Sequence, residues 1–417
     1  MNHAVLNRSL AVLAVVGLAL ASCADDDDGS SATTSGTGAP DTTAAGPETT
    51  AGGPATTAAG AATTSGGPAT TGVGEAVDLA AVCPDPLVIQ TDWFPEAEHG
   101  ALYEMVGEGY TVDTENLRVT GPLVAGGEET GISIEIRTGG PAIGFNPVAV
   151  QQYTDDGIHL GYANTEAQVQ KHAETPVLSV VAPLEINPQI IMWDPETYPD
   201  IETLADLGEE GVTINVFPAG TFADVFVAEG IWNAEQIDPS YDGLPARFIA
   251  EDGAIAQQGF ASAEPYTYEN VFDEWGKPVA YQTLHDAGFE VYSQTLAIRS
   301  DDLESLRPCL EQFVPVVQQA AIDYINEPDR ANAIIIDAVE QFEAGWVYDQ
   351  GLADFSVETQ RELGFVGNGP DDTLGNMEED RVQGVIDQIR GAGLPVPDDL
   401  VAADLFTNEF IDPDIGL

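Results

Sequence analysis

The sequence predicts an α/β fold in which two lobes are joined by two crossings of the chain. From residue 87 onwards, short apolar runs alternate with helical patterns, which favours a mostly parallel sheet covered on both faces. Two extended runs, at residues 177–192 and 289–299, are each longer than one strand needs. Amphipathic helices follow the second run. We interpret the two runs as crossings between lobes, and two crossings as a hinge beside a cleft.

The crossings set the expected domain bounds. We expect residues 81–184 and 292–417 to form lobe 1 and residues 185–291 to form lobe 2. Pro183 and Pro188 divide the first extended run into two pieces joined end to end.

Three strands are predicted in the first part of lobe 1. Leu87–Gln90 is a short apolar run, residues 132–137 alternate in polarity, and residues 158–163 form the next apolar run. Gly139 and Gly140 follow the second of these strands. The pattern is that of consecutive β-α units.

Lobe 2 is predicted to begin its own strand-helix set at residues 212–217. Further strand predictions fall at 247–249 and 259–261, and Thr221 is the expected N-cap of a helix after the first strand. A helix N-terminus facing the cleft would favour an anionic or polar ligand group, although a plain capped turn explains the pattern equally well.

The helices after the second crossing show one-sided apolar stripes, which predict core packing. One such stripe is Ile334, Ile335, Ala338, Val339, Phe342 and Trp346. A last helix near residues 377–390, with Val382, Val385, Ile386 and Ile389 on one face, is expected to complete lobe 1.

The N-terminus predicts export. An apolar run at residues 10–21 follows Arg8 and is too short to span a bilayer as a stable helix. The run ends in Leu20-Ala21-Ser22-Cys23, which resembles the lipobox of bacterial lipoproteins. The resemblance implies a signal peptide at residues 1–22 and a lipid-modified Cys23, with the protein anchored to the outer face of the cell membrane. The alternative is an ordinary cleaved signal with an incidental cysteine.

Residues 23–80 are predicted to be a disordered tether. From Gly29 to about Gly74 the chain uses almost only Gly, Ala, Ser, Thr and Pro, so no apolar periodicity can build a core there. Cys83 and Cys309 remain beyond the tether, and an oxidising compartment favours a disulfide between them. Two unpaired thiols are the alternative.

The charge excludes one class of function. Twelve Lys and Arg stand against 70 Asp and Glu, for a formal net charge of −58. Nucleic-acid binding needs clustered basic residues, and the sequence has no basic cluster. The excess of Asp and Glu is expected to form a solvated surface that promotes solubility, and the alternative is that it collects metal ions.

A motif at residues 92–103 carries a resemblance to a known family. It reads Asp92-Trp93-Phe94-Pro95-Glu96-Ala97-Glu98-His99-Gly100-Ala101-Leu102-Tyr103. This segment resembles the opening motif of the thiamine-pyrimidine-precursor branch of ABC substrate-binding proteins. The resemblance implies the type 2 periplasmic-binding-protein fold and delivery of a small molecule to an ABC permease and ATPase complex. The wider family also serves nitrate, alkanesulfonates, taurine and flavin precursors, so the ligand stays open. A related pyrimidine synthase needs a cysteine-rich segment that this chain lacks.

Candidate ligand-binding residues follow predicted strands or lie in this motif. Aromatic side chains there offer a flat contact surface, and a carboxylate can accept hydrogen bonds from an aminopyrimidine-like edge. Each candidate also has a structural explanation, as core packing, a turn or a cap. The candidates are Trp93, Phe94, His99, Tyr103, Gly139, Gly140, Asn164, Thr165, Thr221, Glu264 and Tyr266, with a weaker claim for Asp92.

Motifs of common enzymes are missing from the sequence. It contains no Gly-x-Ser-x-Gly elbow, no His-Glu-x-x-His and no phosphate loop. We therefore expect a monomeric binding protein without metal or cofactor that captures a small heterocyclic solute. The alternatives are the same role for a sulfonate, taurine, nitrate or flavin-type ligand, a secreted hydrolase with paired carboxylates, and an adhesion protein.

Overall fold

The computed structural model describes residues 77–218 and 220–417. The predicted signal peptide, the Cys23 anchor and the tether up to residue 76 lie outside the described residues. The last four tether residues lie inside them, and there the predicted bound is wrong. Leu79 is fully buried in the first hydrophobic core, and its backbone N–H donates to the Thr130 carbonyl at 2.9 Å. The folded part therefore begins before residue 81.

Two β-sheets organise the described residues, one of seven strands and one of five. The first sheet has the order β2-β3-β4-β1-β5-β12-β6 and the second β11-β7-β10-β8-β9. The strands are β1 Leu87–Gln90, β2 Thr111–Asp113, β3 Arg118–Ala125, β4 Glu128–Arg137, β5 Leu160–Ala163, β6 Val177–Val181, β7 Gln189–Trp193, β8 Thr213–Asn215, β9 Ile237–Asp238, β10 Ile255–Phe260, β11 Ala280–Thr283 and β12 Thr295–Arg299.

Helices lie between the strands and dominate the C-terminal part. They are α1 Gly100–Glu104, α2 Val148–Thr154, α3 Thr165–Lys171, α4 Leu204–Glu210, α5 Thr221–Ala228, α6 Ala246–Ala250, α7 Glu264–Asn270, α8 Leu303–Asn326, α9 Asp329–Phe342, α10 Gln350–Glu362 and α11 Glu379–Gly391. Within the described residues, no helix combines the length and the apolar character needed to cross a membrane.

The chain crosses from the first sheet to the second and returns, as the sequence predicts. It leaves β6 at Val181 and enters β7 at Gln189, then leaves β11 at Thr283 and enters β12 at Thr295. In each sheet the strand that follows a crossing runs against its neighbours: β7 is antiparallel to β10 and β11, and β12 is antiparallel to β5 and β6. Other strands of the two sheet centres are parallel, namely β4, β1 and β5 in one and β10, β8 and β9 in the other. This topology confirms the predicted two-lobed α/β fold.

Several local predictions are wrong. The strand predicted at 247–249 is part of helix α6, which begins directly after Pro245. The antiparallel ribbon of β2 and β3 and the edge strand β11 were not predicted, because their mixed polarity gives no clear period. The helix that holds the 334–342 stripe ends at Phe342, so Trp346 lies beyond it and does not share its core face.

Helix α11 packs against elements of both lobes, whereas the sequence predicts that it completes lobe 1. Its apolar stripe belongs to the second hydrophobic core, together with Ile191, Phe226 and Phe289. The same core includes Val169 of α3 from the first-sheet side. Amphipathicity shows that one face of a helix is buried but not which neighbour covers it.

Cys83 and Cys309 form the predicted disulfide. Cys83 lies just before β1, and Cys309 lies on α8, 226 residues later in the sequence. Both residues pack in or against the first core. The bond therefore joins the start of the first sheet to the long helix that covers it after the return crossing.

We expect Cys83→Ser to lower the free energy of unfolding by about 5 kcal/mol, because the chain-entropy model assigns that much to a loop closed over a separation of 226 residues. Urea denaturation of the variant and of the wild type, each with and without reductant, measures the difference. Reductant should destabilise only the wild type. Equal stability of the two oxidised proteins would contradict the expectation.

Candidate ligand site

Trp93 lies directly beyond the carboxyl end of β1, a central strand with parallel neighbours β4 and β5. Its backbone carbonyl accepts hydrogen bonds from the Thr91 hydroxyl at 2.9 Å and from the Gly139 N–H at 3.0 Å. These bonds fix the segment at the strand ends. Open α/β sheets bind ligands at this edge, so the location agrees with the sequence prediction.

Trp93 is the centre of an aromatic cluster to which both lobes contribute. Its ring centroid lies 6.1 Å from Phe94, 5.9 Å from Phe145, 6.0 Å from Phe217 and 6.0 Å from Trp346. Phe94 stacks on Trp346, and Phe217 packs on Tyr241 with centroids 4.6 Å apart. The aromatic cluster consists of Trp93, Phe94, Phe145, Phe217, Tyr241 and Trp346.

Two glycines give the Trp93 indole its space. Gly140 has φ +57°, and a Cβ there would lie 2.5 Å from an indole carbon. Gly243 has φ +86°, and its Cβ would lie 3.2 Å from the opposite part of the ring system. L-residues rarely adopt either conformation, and a side chain would displace the ring. Gly140 was predicted for backbone approach to a ligand, but in the structure its missing side chain makes room for Trp93.

A group of carboxylates surrounds the same strand ends without matching cations. Asp92, Glu96 and Glu98 come from the predicted motif, Glu166 from α3 and Glu264 from the start of α7. Among the described residues, no Lys or Arg forms a salt bridge with any of them; His99 alone does, with Asp92 and Glu96. No group of three or more His, Cys, Asp or Glu within the described part is placed to hold a metal ion.

Burial changes the acidity of four of these groups. Burial, together with the charges of Glu98, Asp92 and Glu264, raises the pKa of Glu96 well above its usual value. Burial also raises the pKa of Glu98, which accepts a hydrogen bond from the Ser262 hydroxyl. The pKa values of Glu166 and Glu264 rise to about 7, again mainly through burial. Glu166 and Glu264 are therefore partly protonated near neutral pH.

His99 is completely buried and joins the acidic group. Its Nε2 lies 3.1 Å from Asp92 Oδ1 and 3.6 Å from Glu96 Oε1, and its ring lies 5.2 Å from the Tyr162 ring. The side chain makes no capping bond to α1, so it acts as the partner of these carboxylates. The Nε2 of Gln294, from the return crossing, also donates to Asp92 Oδ1 at 3.2 Å.

Glu264 lies where the second-lobe strands end. Its Oε2 accepts the Phe260 N–H at 2.6 Å and its Oε1 accepts the Tyr241 hydroxyl at 3.3 Å. Glu264 also lines an open pocket, the Glu264 pocket, between the 241–245 loop, α7 and the 345–347 loop. Its lining residues are Tyr241, Gly243, Leu244, Pro245, Ala263, Glu264, Thr267, Tyr268, Val271, Phe272, Gly345, Trp346 and Val347.

The edge of this region is unusually apolar. Phe145, Leu244 and Val347 are each more than half exposed, at 55%, 56% and 53%. Phe145 packs on Trp93, and the other two line the Glu264 pocket. Solvent-exposed apolar side chains at the mouth of a polar cleft are typical of a ligand-binding entrance.

Other predicted site residues lie outside this arrangement. Tyr103 is buried in the first core. Tyr266 packs on Phe355 of α10, with ring centroids 5.5 Å apart. Gly139 packs tightly against the backbone of Thr91, and this contact accounts for the missing side chain.

Asn164 and Thr165 hold the return crossing. The Asn164 side chain accepts the Gln294 N–H at 2.9 Å, and the Thr165 hydroxyl donates to the Tyr292 carbonyl at 3.1 Å. Thr221 is not the N-cap of α5 as predicted, because Gly220 occupies that position. The Thr221 hydroxyl instead accepts a hydrogen bond from Gln170 of α3 at 3.1 Å. These hydrogen bonds connect α3 and the residue before it to the return crossing and to helix α5 of lobe 2.

Sequence reasoning missed four residues of the site. Phe145, Tyr241 and Gly243 lie in loops without a periodic signal, and Trp346 continues the spacing of the α9 stripe but lies beyond the end of that helix. Glu96 and Glu98 stand in the motif that was identified, and their acidity next to His99 was the one signal that pointed to them. Gln294, with φ +53° and an unpartnered buried Oε1, had no sequence signal.

The fold resembles solved binding proteins. The chain is 14% identical to the alkanesulfonate-binding protein SsuA from Xanthomonas axonopodis bound to MOPS, with 78% of this chain and 99% of that chain covered and a TM-score of 0.48. It is 12% identical to a ligand-binding component of an ABC-type import system from Staphylococcus aureus, with 78% and 97% covered and a TM-score of 0.49. A Candida albicans protein described as having the generic periplasmic binding protein fold is 14% identical, with 79% and 98% covered and a TM-score of 0.48. No family model and no curated protein matches the chain.

At these identities and scores the likeness carries nothing about the ligand. The fold assignment depends on the two sheets and two crossings of the chain itself, which have the architecture that the sequence predicts for a type 2 periplasmic-binding-protein fold.

Two half-buried carboxylates predict a contribution to stability that depends on pH. Glu166 and Glu264 have folded-state pKa values of about 7 against an ordinary value of 4.5. Between these values the two folded-state carboxyls hold protons that the unfolded chain releases, so their contribution to stability is fully present below about pH 4.5 and is lost as pH rises through about 7. Each group contributes a slope of up to about 1.4 kcal/mol per pH unit.

We expect Glu166→Gln to flatten this slope relative to Glu358→Gln, which removes the same charge from an exposed position on α10. Urea denaturation from about pH 5 to about pH 8 measures it. If the free energy of unfolding changes with pH equally in the two variants, the assignment of a raised pKa to Glu166 is refuted.

Proposed function

We propose that the chain is the extracytoplasmic solute-binding component of an ABC importer and that its cleft takes a small, flat, nitrogen-containing heterocycle, such as a thiamine-precursor pyrimidine. One observation carries the proposal: the aromatic cluster and Glu264 meet at the strand ends where the two lobes face each other. A flat ring finds aromatic surfaces from both lobes, and its amino groups find carboxylates.

The proposed mechanism is capture by closure of the two lobes. Trp93 belongs to the first lobe and Phe217 to the second, so a solute that binds between them is contacted by both. The crossings at residues 182–188 and 284–294 form the hinge. The closed form then docks as a monomer on a permease and ATPase complex, while a lipid on Cys23 keeps it at the outer membrane surface.

A sulfonate, taurine or nitrate ligand is the alternative within the same role. The Xanthomonas protein is named for alkanesulfonate binding. Neither Lys nor Arg belongs to the aromatic cluster, the acidic group or the lining of the Glu264 pocket in the described part of this chain. Anion recognition commonly uses such residues, so the cleft favours neutral or basic solutes.

A thermal-shift panel of pyrimidines, flavins, taurine, alkanesulfonates and nitrate tests the ligand class. We expect a heterocycle to raise the melting temperature, because a ligand at a hundredfold excess over Kd adds about 2.7 kcal/mol of stability. Trp93→Ala should abolish the shift, because it removes the central ring of the cluster, while Tyr153→Ala, an exposed aromatic on α2, should not. A shift only with sulfonate or nitrate would contradict the heterocycle assignment, and no shift with any solute would contradict the binding role.

Lipid attachment at Cys23 is tested separately. We expect the wild type, expressed with its own signal in a bacterial host, to partition into the detergent phase and Cys23→Ser to partition into water, because only the former carries acyl chains. Equal partitioning of both into water would rule out the anchor.

A further inference from the structure

The Glu264 pocket has a distinctive chemical lining. Four of its lining residues are aromatic: Tyr241, Tyr268, Phe272 and Trp346. Among the lining residues, Glu264 is the only one whose side chain can carry a charge near neutral pH. An aromatic surface next to a single carboxylate is complementary to a positively charged organic group, because ring faces and carboxylates both attract cations.

The carboxylate of Glu264 has unused acceptor capacity. The Phe260 N–H and the Tyr241 hydroxyl occupy one position on each oxygen, whereas an ionised carboxylate offers about four. No salt bridge reaches Glu264 within the described residues. A bidentate donor that enters from the pocket can use the remaining positions.

The surroundings of Glu264 contain acids and phenols but no base. Tyr241 donates to it, Tyr268 lies on its own helix with its hydroxyl accepting from Gln257, and Glu96 and Glu98 act on it from the first lobe. Burial and these charges oppose ionisation of the empty site. A ligand that brings its own positive charge would offset the cost of ionising Glu264, whereas an anion would add to that cost.

Orphaned polar atoms lie beside the same acids. Gln294 is 2% exposed and its Oε1 has no partner, although its Nε2 donates to Asp92. The Tyr162 hydroxyl is also buried without a partner, and its pKa is raised mainly by burial and further by Asp92. Buried polar atoms in a native structure are normally satisfied, so the Gln294 Oε1 can accept a hydrogen bond from a solute or water and the Tyr162 hydroxyl can donate one.

We propose that the solute binds as an organic cation, with an amidinium- or ammonium-type group held by Glu264 and its apolar body against Trp346 and Tyr241. This inference depends on the proposed function and specifies the charge of its ligand. Binding is coupled to proton release, because a cation selects the ionised form of a carboxyl whose pKa is about 7 in the empty site.

Three probes of similar shape separate the effect of ligand charge on affinity from the effect of ligand shape. Benzamidinium is a cation, benzamide is neutral and benzoate is an anion. Isothermal titration of the full-length mature chain measures the affinity for each. We expect benzamidinium to bind at least about tenfold more tightly than benzamide and benzoate not to bind. Benzamidinium keeps its charge throughout the neutral range, so its affinity should fall about tenfold from pH 8 to pH 6 through protonation of the protein alone.

Two variants locate the effect. Glu264→Gln keeps the side-chain shape and should abolish both the preference for the cation and its pH dependence. Glu269→Gln removes the same charge from an exposed position on the same helix and should leave both unchanged. Retention of the preference in Glu264→Gln would overturn the assignment to Glu264.

Other outcomes separate this inference from the proposed function. Equal binding of benzamidinium and benzamide, preference for benzoate, or no binding of any of the three would overturn the cation inference. If a solute of the thermal-shift panel still binds in those cases, the importer role stands. If the panel also shows no ligand, the proposed function fails with it.

Discussion

The direction of the strands determines where the residues of the candidate site lie. Because the chain enters each sheet from the other lobe, β7 and β12 run against their neighbours, and the remaining central strands keep a common direction. The carboxyl ends of these parallel strands therefore lie at one edge of each sheet. The segments that follow β1 and β10 carry Trp93 and Glu264, so residues far apart in sequence reach the same cleft.

The cleft formed in this way has a clear electrostatic character. Carboxylates of both lobes lie buried or half-buried near one histidine and without basic side chains, which disfavours their ionised forms. Such an arrangement destabilises the empty protein at neutral pH, as is common where function and stability compete. The surface acids have no such effect individually, since water screens them. The location of the carboxylates, more than their number, gives the region this electrostatic character.

The motif near β1 and the two extended runs were sufficient to predict much of the fold and the first half of the site. Strand and crossing patterns are local, so periodicity and proline positions report them. Trp346 shows where this fails: it continues the spacing of the α9 stripe but lies beyond the end of that helix, in the aromatic cluster. Tyr241 and Gly243 belong to a loop whose sequence has no period at all. Their roles depend on neighbours from the other lobe.

Local pattern and composition predict the alternation of strands and helices, the two crossings, the candidate disulfide and the segment that carries Trp93. Tertiary contacts determine that α11 packs in the second core, that Gly140 makes room for an indole and that Glu264 lies among acids without a base. These features depend on which surfaces meet, and on how far burial removes a charge from water. Surface contacts and burial both depend on residues that are distant in the sequence, so a local pattern does not report them.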